Sequence, residues 1–233
     1  MNRALEAHPP HSVKGLEGSP TDLGSETKRW DGPPVEAWAA VWTPEQAALA
    51  LRGVSAPWAV AGGWALDLWM GEQTREHEDL EIAVPAVFFS EIQARLEGLG
   101  LKLFAIDDGQ AIALNPGEAP GRRTHQTWVM DPAVQGWRLD VFREPGDADT
   151  WIYRRTGDLS APRDWAAGVT ADGIPYVAPQ IVLLFKAKAM REKDEADFIA
   201  AAPRLSSEAR AWLAAALRAT HPDHPWIARL LPP

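Results

Sequence analysis

The sequence predicts an α/β (α+β) architecture: a mixed sheet flanked by helices, followed by a small C-terminal helical region. Three observations predict it. Residues 79–84 alternate Leu80, Ile82 and Val84 with Asp79, Glu81 and Ala83, the period-2 pattern of a strand with one buried face. Gly62-Gly63 separates a short strand at 58–61 from a helical stretch at 64–70 that Gly71 terminates. From 179 to about 220 the chain reads as helical with only short breaks.

The elements follow in order. Residues 1–34 mix Pro, Gly, Ser, His and charge with too few regularly spaced apolar residues to bury a face, which predicts a disordered tail. Residues 35–52 suggest helix, with Thr43 as N-cap and Pro44 as first helical residue of its second part. After the 79–84 strand, Pro85 is expected to open a helix running to about Leu99. Strand-like pieces follow at 101–106, 111–114, 125–130 and 137–143, with a last strand at 174–178. The expected division is a tail at 1–34, a sheet domain at 35–178 and a helical region at 179–233.

Composition narrows the function classes. The chain has 233 residues, 46% of them hydrophobic and 24% charged, an ordinary globular balance able to bury a sizeable core. No apolar run approaches the roughly 18 residues needed to span a bilayer, and the N-terminus lacks the apolar centre of a secretory signal, so a soluble, cytoplasmic protein is expected. With no cysteine, disulfides, thiolate metal sites and thiol catalysis are excluded. A net charge of -9 disfavours a nucleic-acid-binding surface, although Arg122, Arg123, Arg154, Arg155 and Arg163 form a local basic set. A small substrate is the better expectation. Acids at 107, 108, 147 and 149 would suit a cationic one, and equally a solvated loop. Of the 12 tryptophans, Trp58, Trp64 and Trp69 sit at apolar positions and are expected in the core.

The chemistry-bearing stretch is Gly62-Gly63-Trp64-Ala65-Leu66-Asp67, then Thr74-Arg75-x-His77-x-Asp79-x-Glu81. Two glycines between strand and helix allow a sharp turn and the approach of a phosphate to free N–H groups at the helix N-terminus. Asp79 and Glu81, two apart on a strand, project from one face, where hard oxygen ligands can share two Mg²⁺ ions about 4 Å apart. Asp140 is the candidate third acid, because it lies between Leu139 and Val141 at strand spacing, where unpaired burial is costly. His77, just before the strand, is expected to shape the loop rather than bind metal. Asp67 is as suited to orienting that loop as to touching substrate. Residues 186–197 would also suit an exposed helix carrying pairs such as Lys193 with Asp197.

These residues resemble the nucleotidyltransferases of the DNA polymerase beta superfamily, and within it the aminoglycoside and lincosamide nucleotidyltransferase group. The later segment Phe185-Lys186-x-Lys188-x-x-Arg191-x-Lys193-Asp194-x-x-Asp197-Phe198 is similar to the helix pair following the catalytic domain in such proteins. The second strand acid is Glu81, where antibiotic-modifying members usually carry Asp. The resemblance implies the nucleotidyltransferase fold and a transfer of a nucleoside monophosphate from a nucleoside triphosphate, such as ATP, to a hydroxyl of a small molecule, releasing pyrophosphate. It implies that Asp79, Glu81 and Asp140 bind two Mg²⁺ ions, with Mn²⁺ as substitute, and that Asp140 also takes the hydroxyl proton. Gly62 and Gly63 would cradle the triphosphate, and Arg75 and Lys186 would contact its phosphates. An antibiotic-resistance role follows from the resemblance alone. Two other readings stay open: a catalytically degenerate nucleotide-binding protein of this fold, and a toxin-type relative acting on protein or tRNA.

Overall fold

A computed structural model describes residues 38–107, 110–121 and 124–230. The tail expected at 1–34 lies outside them, as do Asp108, Arg122 and Arg123. In chain order the elements are α1 (Pro44–Ala50), β1 (Ala59–Val60), α2 (Gly62–Met70), β2 (Glu81–Pro85), α3 (Phe89–Gly98), β3 (Lys102–Asp107), β4 (Gln110–Ala113), β5 (Gln126–Asp131) and β6 (Gly136–Glu144). Then come β7 (Thr150–Ile152), β8 (Ser160–Pro162), α4 (Arg163–Ala166), β9 (Ala167–Val169), β10 (Pro175–Val177), α5 (Pro179–Lys186), α6 (Glu192–Ala201), α7 (Ser207–Thr220) and α8 (Trp226–Leu230). Mixed sheet and flanking helices are therefore as expected. No helix among the described residues is long and apolar enough to cross a membrane.

The chain forms two compact units from interleaved stretches, one from 38–58 and 78–148, the other from 59–77 and 149–230. The boundary expected at 178/179 falls inside the latter, where Ala178 N–H donates to Ala166 O at 2.9 Å.

In the unit of 38–58 and 78–148, the strands are ordered β4-β3-β5-β6-β2. β2 runs parallel to β6, while β6, β5, β3 and β4 pair antiparallel in turn. The helix expected at 35–52 is resolved into a 3-10 turn at Trp38–Ala40 and α1, whose Thr43 forms a capping box with Gln46. Pro85 ends β2 rather than opening a helix; a 3-10 turn at Ala86–Phe88 precedes α3. A bulge between Val129 and Met130 offsets β5 against β6 by one residue. It brings Trp137 and Asp140, three apart, to one face, with Trp128 and Phe104 in register beside them. Trp38 packs edge-on to Trp128 at 5.3 Å, and Trp128 to Trp137 at 5.2 Å, so the core of this unit is an aromatic block. The core tryptophans are Trp38, Trp128, Trp137, Trp151 and Trp226; Trp58, Trp64 and Trp69 are only half-buried, a correction to the expectation.

In the unit of 59–77 and 149–230, β1 pairs parallel with β10, and β10 antiparallel with β9. β7 and β8 form a separate hairpin. Helices α5 and α7 pack together, and α2 lies against α5 and β10. Gly62 has φ +62°, a left-handed turn that only glycine makes cheaply, and Gly71 ends α2 in the same conformation at +75°.

Candidate functional site

The three candidate acids lie in the unit of 38–58 and 78–148. Glu81 of β2 and Asp140 of β6 are direct partners in the parallel register, so their side chains leave the same sheet face. Asp79 lies one pleat repeat before Glu81; β2 is assigned only from Glu81, but Asp140 N–H donates to Leu80 O at 2.9 Å and carries the pairing back. Asp79 and Glu81 are half-buried, whereas Asp140 is fully buried. Gln126 Nε2 donates to Asp140 Oδ2 at 2.5 Å, but Oδ1 has no hydrogen-bond partner. Burial, then the charges of Glu81 and Asp79, push the Asp140 carboxyl well above its usual range, against the support of Gln126 and Trp128. Such a group is costly unless a cation or a proton answers it.

Among the described residues no three His, Cys, Asp or Glu side chains converge into a ready cage. The donor chemistry nevertheless suits a hard cation: carboxylates on neighbouring register positions, one with an oxygen that is buried and unanswered.

The other candidates lie in the unit of 59–77 and 149–230. No side chain caps the N-terminus of α2. Gly63 serves an additional purpose there, since a Cβ would stand 2.3 Å from Arg75 Nη2 and 2.6 Å from His77 Nδ1. The segment after α2 is folded back over the glycine turn. Asp67 holds it: His77 Nε2 lies 2.5 Å from Asp67 Oδ2, and Thr74 Oγ1 donates to Oδ1 at 2.6 Å. Trp64 packs tilted against the imidazole, with ring centres 4.4 Å apart. Burial, more than Asp67 can offset, lowers the affinity of His77 for a proton, so near neutral pH it is the uncharged ring that donates Nε2–H to Asp67. His77 thus shapes the loop, as its position suggests.

Arg75 and Lys186 are both committed to carboxylates. Arg75 Nε donates to Asp197 Oδ1 at 2.9 Å and Nη2 to Oδ2 at 3.1 Å, a bidentate pair. Lys186 Nζ sits 2.9 Å from Asp194 Oδ1 and 2.8 Å from Asp197 Oδ2. Arg191 adds a second cation on Asp194, at 2.8 Å. Burial raises the Asp194 carboxyl, but Arg191 and Lys186 overrule it and hold it at about 2; Asp197 is lowered by Arg75 and Lys186 against the same penalty. The 186–197 segment is therefore not a mere solvated face: Asp194 and Asp197, three apart on α6, present buried acids to partners on α5 and the Arg75 loop.

Sequence reasoning missed Gln126 and Trp128, and gave Asp194 and Asp197 no role beyond the helix-pair resemblance and a Lys193–Asp197 surface pair. Asp194 and Asp197 carried a signal, since i,i+3 acids preceded by Lys186 and Arg191 mark one helix face. Gln126 carried none, because its reach to Asp140 depends on the β5–β6 register.

A family model described as aminoglycoside-2''-adenylyltransferase matches residues 46–109, which include Gly62, Gly63, Arg75, Asp79 and Glu81 but neither Asp140 nor Lys186. The solution structure of antibiotic-resistance factor ANT(2'')-Ia superposes with a TM-score of 0.50 at 17% identity, over 76% of this chain and 90% of that one. Lincosamide antibiotic adenylyltransferase LnuA, solved bound to lincomycin, gives 0.49 at 21% identity, over 69% and 96%. No curated protein matches the chain by sequence. The chain is thus similar in sequence over 46–109 to that adenylyltransferase family, and similar in fold to a nucleotidyltransferase.

Proposed function

We propose that this chain, which has the nucleotidyltransferase fold and resembles the aminoglycoside adenylyltransferases in sequence over 46–109, transfers the nucleoside monophosphate of a nucleoside triphosphate to a hydroxyl of a small, antibiotic-like acceptor. The observation that carries the reading is Asp140: a fully buried carboxylate in register with Glu81, with Oδ1 unpartnered. A purely structural acid would not be kept there beside two others at that cost.

Asp79, Glu81 and Asp140 would hold two Mg²⁺ ions, or Mn²⁺ in their place. Bound there, the metal supplies a Lewis acid that neutralises charge on the reacting phosphate. Asp140 takes the proton from the acceptor hydroxyl, whose oxygen attacks the α-phosphorus; the bond from that phosphorus to the bridging oxygen breaks, and pyrophosphate leaves with the electron pair. The uncapped N-terminus of α2, opened by Gly62 and Gly63, binds phosphate oxygens through its N–H groups. Arg75 and Lys186, expected as phosphate contacts, act first by bracing: their charge is met by Asp197 and Asp194, which fix the loop against Gly63. The acidic overall balance supports a small acceptor over tRNA.

The test is an incubation of the protein with each of ATP, GTP, CTP and UTP and pooled aminoglycosides, lincosamides and sugars, with and without EDTA. Pyrophosphate release and a nucleotidylated acceptor by mass spectrometry, both lost with EDTA, are expected. Nucleotide binding without any product in any pool would instead establish the binding-protein reading.

A further inference from the structure

A cavity lies in the unit of 59–77 and 149–230. It is an open cleft of about 330 Å³, the lower end of the range for small-molecule sites. Trp69, Trp165 and Tyr176 form its aromatic lining, with Gln180, Arg204 and Ser206 as polar members. Trp69 ends α2 and Gln180 begins α5, whereas Gly63 and Lys186 occupy the other ends of the same helices, about 9 Å along each axis.

The lining is shaped rather than incidental. Tyr176 pairs with Gly168 across β10 and β9, and a Cβ on Gly168 would meet the phenol ring at 2.5 Å. The missing side chain leaves room for the ring beside the neighbouring strand. Trp165 is propped by Trp212 at 5.0 Å. Gln180 is only 5% exposed and lines the cavity. Its primary amide offers a donor and an acceptor side by side, the pairing that the edge of a ring nitrogen and its neighbour can meet. At the rim, Arg204 Nη2 meets Glu72 Oε1 at 2.5 Å with both side chains about half exposed, a pair that a competing anion displaces cheaply. Ser206 caps the 14-residue α7 beside it, so helix-terminal N–H groups add to the positive side.

We infer that this cavity is a binding site for a small flat heteroaromatic acid, its ring between Trp69, Trp165 and Tyr176, its edge on the Gln180 amide and its anionic group toward Arg204. It is independent of the proposed transfer reaction, and its variants leave Asp79, Glu81 and Asp140 untouched.

The test uses the full chain with ¹⁵N-labelled tryptophan indoles, the signals of Trp69 and Trp165 assigned by Trp69→Phe and Trp165→Phe. Three probes are titrated: nicotinate, benzoate, which lacks the ring nitrogen, and nicotinamide, which lacks the charge. Nicotinate is expected to shift both indole signals saturably, and to bind about fivefold more tightly than either other probe, the worth of one hydrogen bond or one exposed charge contact. Gln180→Leu should erase the advantage over benzoate, and Arg204→Ala the advantage over nicotinamide. No saturable shift at these two indoles, or shifts confined to other tryptophans, overturns the inference, as does an unchanged preference in the variants. If Gln180→Leu does not fold, Arg204→Ala, at an exposed position, decides it.

Discussion

Glu81 and Asp140 stand side by side on parallel strands, 59 positions apart in sequence, and only one of the two is fully buried. The difference arises from the aromatic block of Trp38, Trp128 and Trp137 on the same face, which excludes water from Asp140 and leaves Glu81 half open. A buried acid beside partly hydrated ones is the arrangement on which the proposed metal binding rests.

Gly63→Ala should destabilise the protein by about 1–3 kcal/mol, the usual cost of forcing atoms into a filled space. The added methyl meets Arg75 and His77, which Asp197 and Asp67 hold in place. Thermal unfolding checks this, with Gly98→Ala as control, where a Cβ meets nothing within 4 Å. Equal stability of the two variants would show that the loop yields freely.

Asp197 joins Arg75 and Lys186, so truncating Arg75 and Asp197 separately and together should reveal a coupling of about 1–3 kcal/mol in denaturant unfolding. If Arg75 braces the loop, the affinity for triphosphate falls in Arg75→Ala and Asp197→Ala alike. A loss in Arg75→Ala only would make the guanidinium a direct phosphate contact.

Asp194 gives a pH dependence with a definite sign. Its carboxyl is held at about 2 against an ordinary 3.8, so the folded state favours the ionised form. The resulting stabilisation is fully present above the unfolded value and is lost as pH falls through the folded one. Asp194→Asn should therefore cost about 2 kcal/mol at neutral pH, and the gap to wild type should close between about pH 4 and pH 2. Urea titrations at several pH values measure it; a gap independent of pH would assign the loss to shape instead of charge.

Much of this was legible in the chain itself. Leu80, Ile82 and Val84 gave away a strand with a core face, Thr43-Pro44 a helix start, and Asp140 a strand position neighbouring that of Glu81. Residues 150–169 were not legible, because β7, β8, α4 and β9 are three or four residues long, too short for periodicity to register. The buried tryptophans were misassigned for a related reason: which of them faces the core is set by the β5–β6 bulge and by the turn at Trp38–Ala40, neither of which leaves a local pattern. Asp197 suggested a surface pair with Lys193, and its bonds to Arg75 and Lys186 span separations that only the fold closes.

The most direct measurement is the comparison of triphosphate affinity and chemical rate in Asp140→Asn. An amide keeps the shape and the contact with Gln126 but cannot accept the acceptor's proton or attract a cation as a carboxylate does. The account predicts affinity within about tenfold of wild type, or about 1.4 kcal/mol, and pyrophosphate release slowed by a factor on the order of 100 or more. Wild-type turnover in Asp140→Asn would contradict it, and would place the base elsewhere.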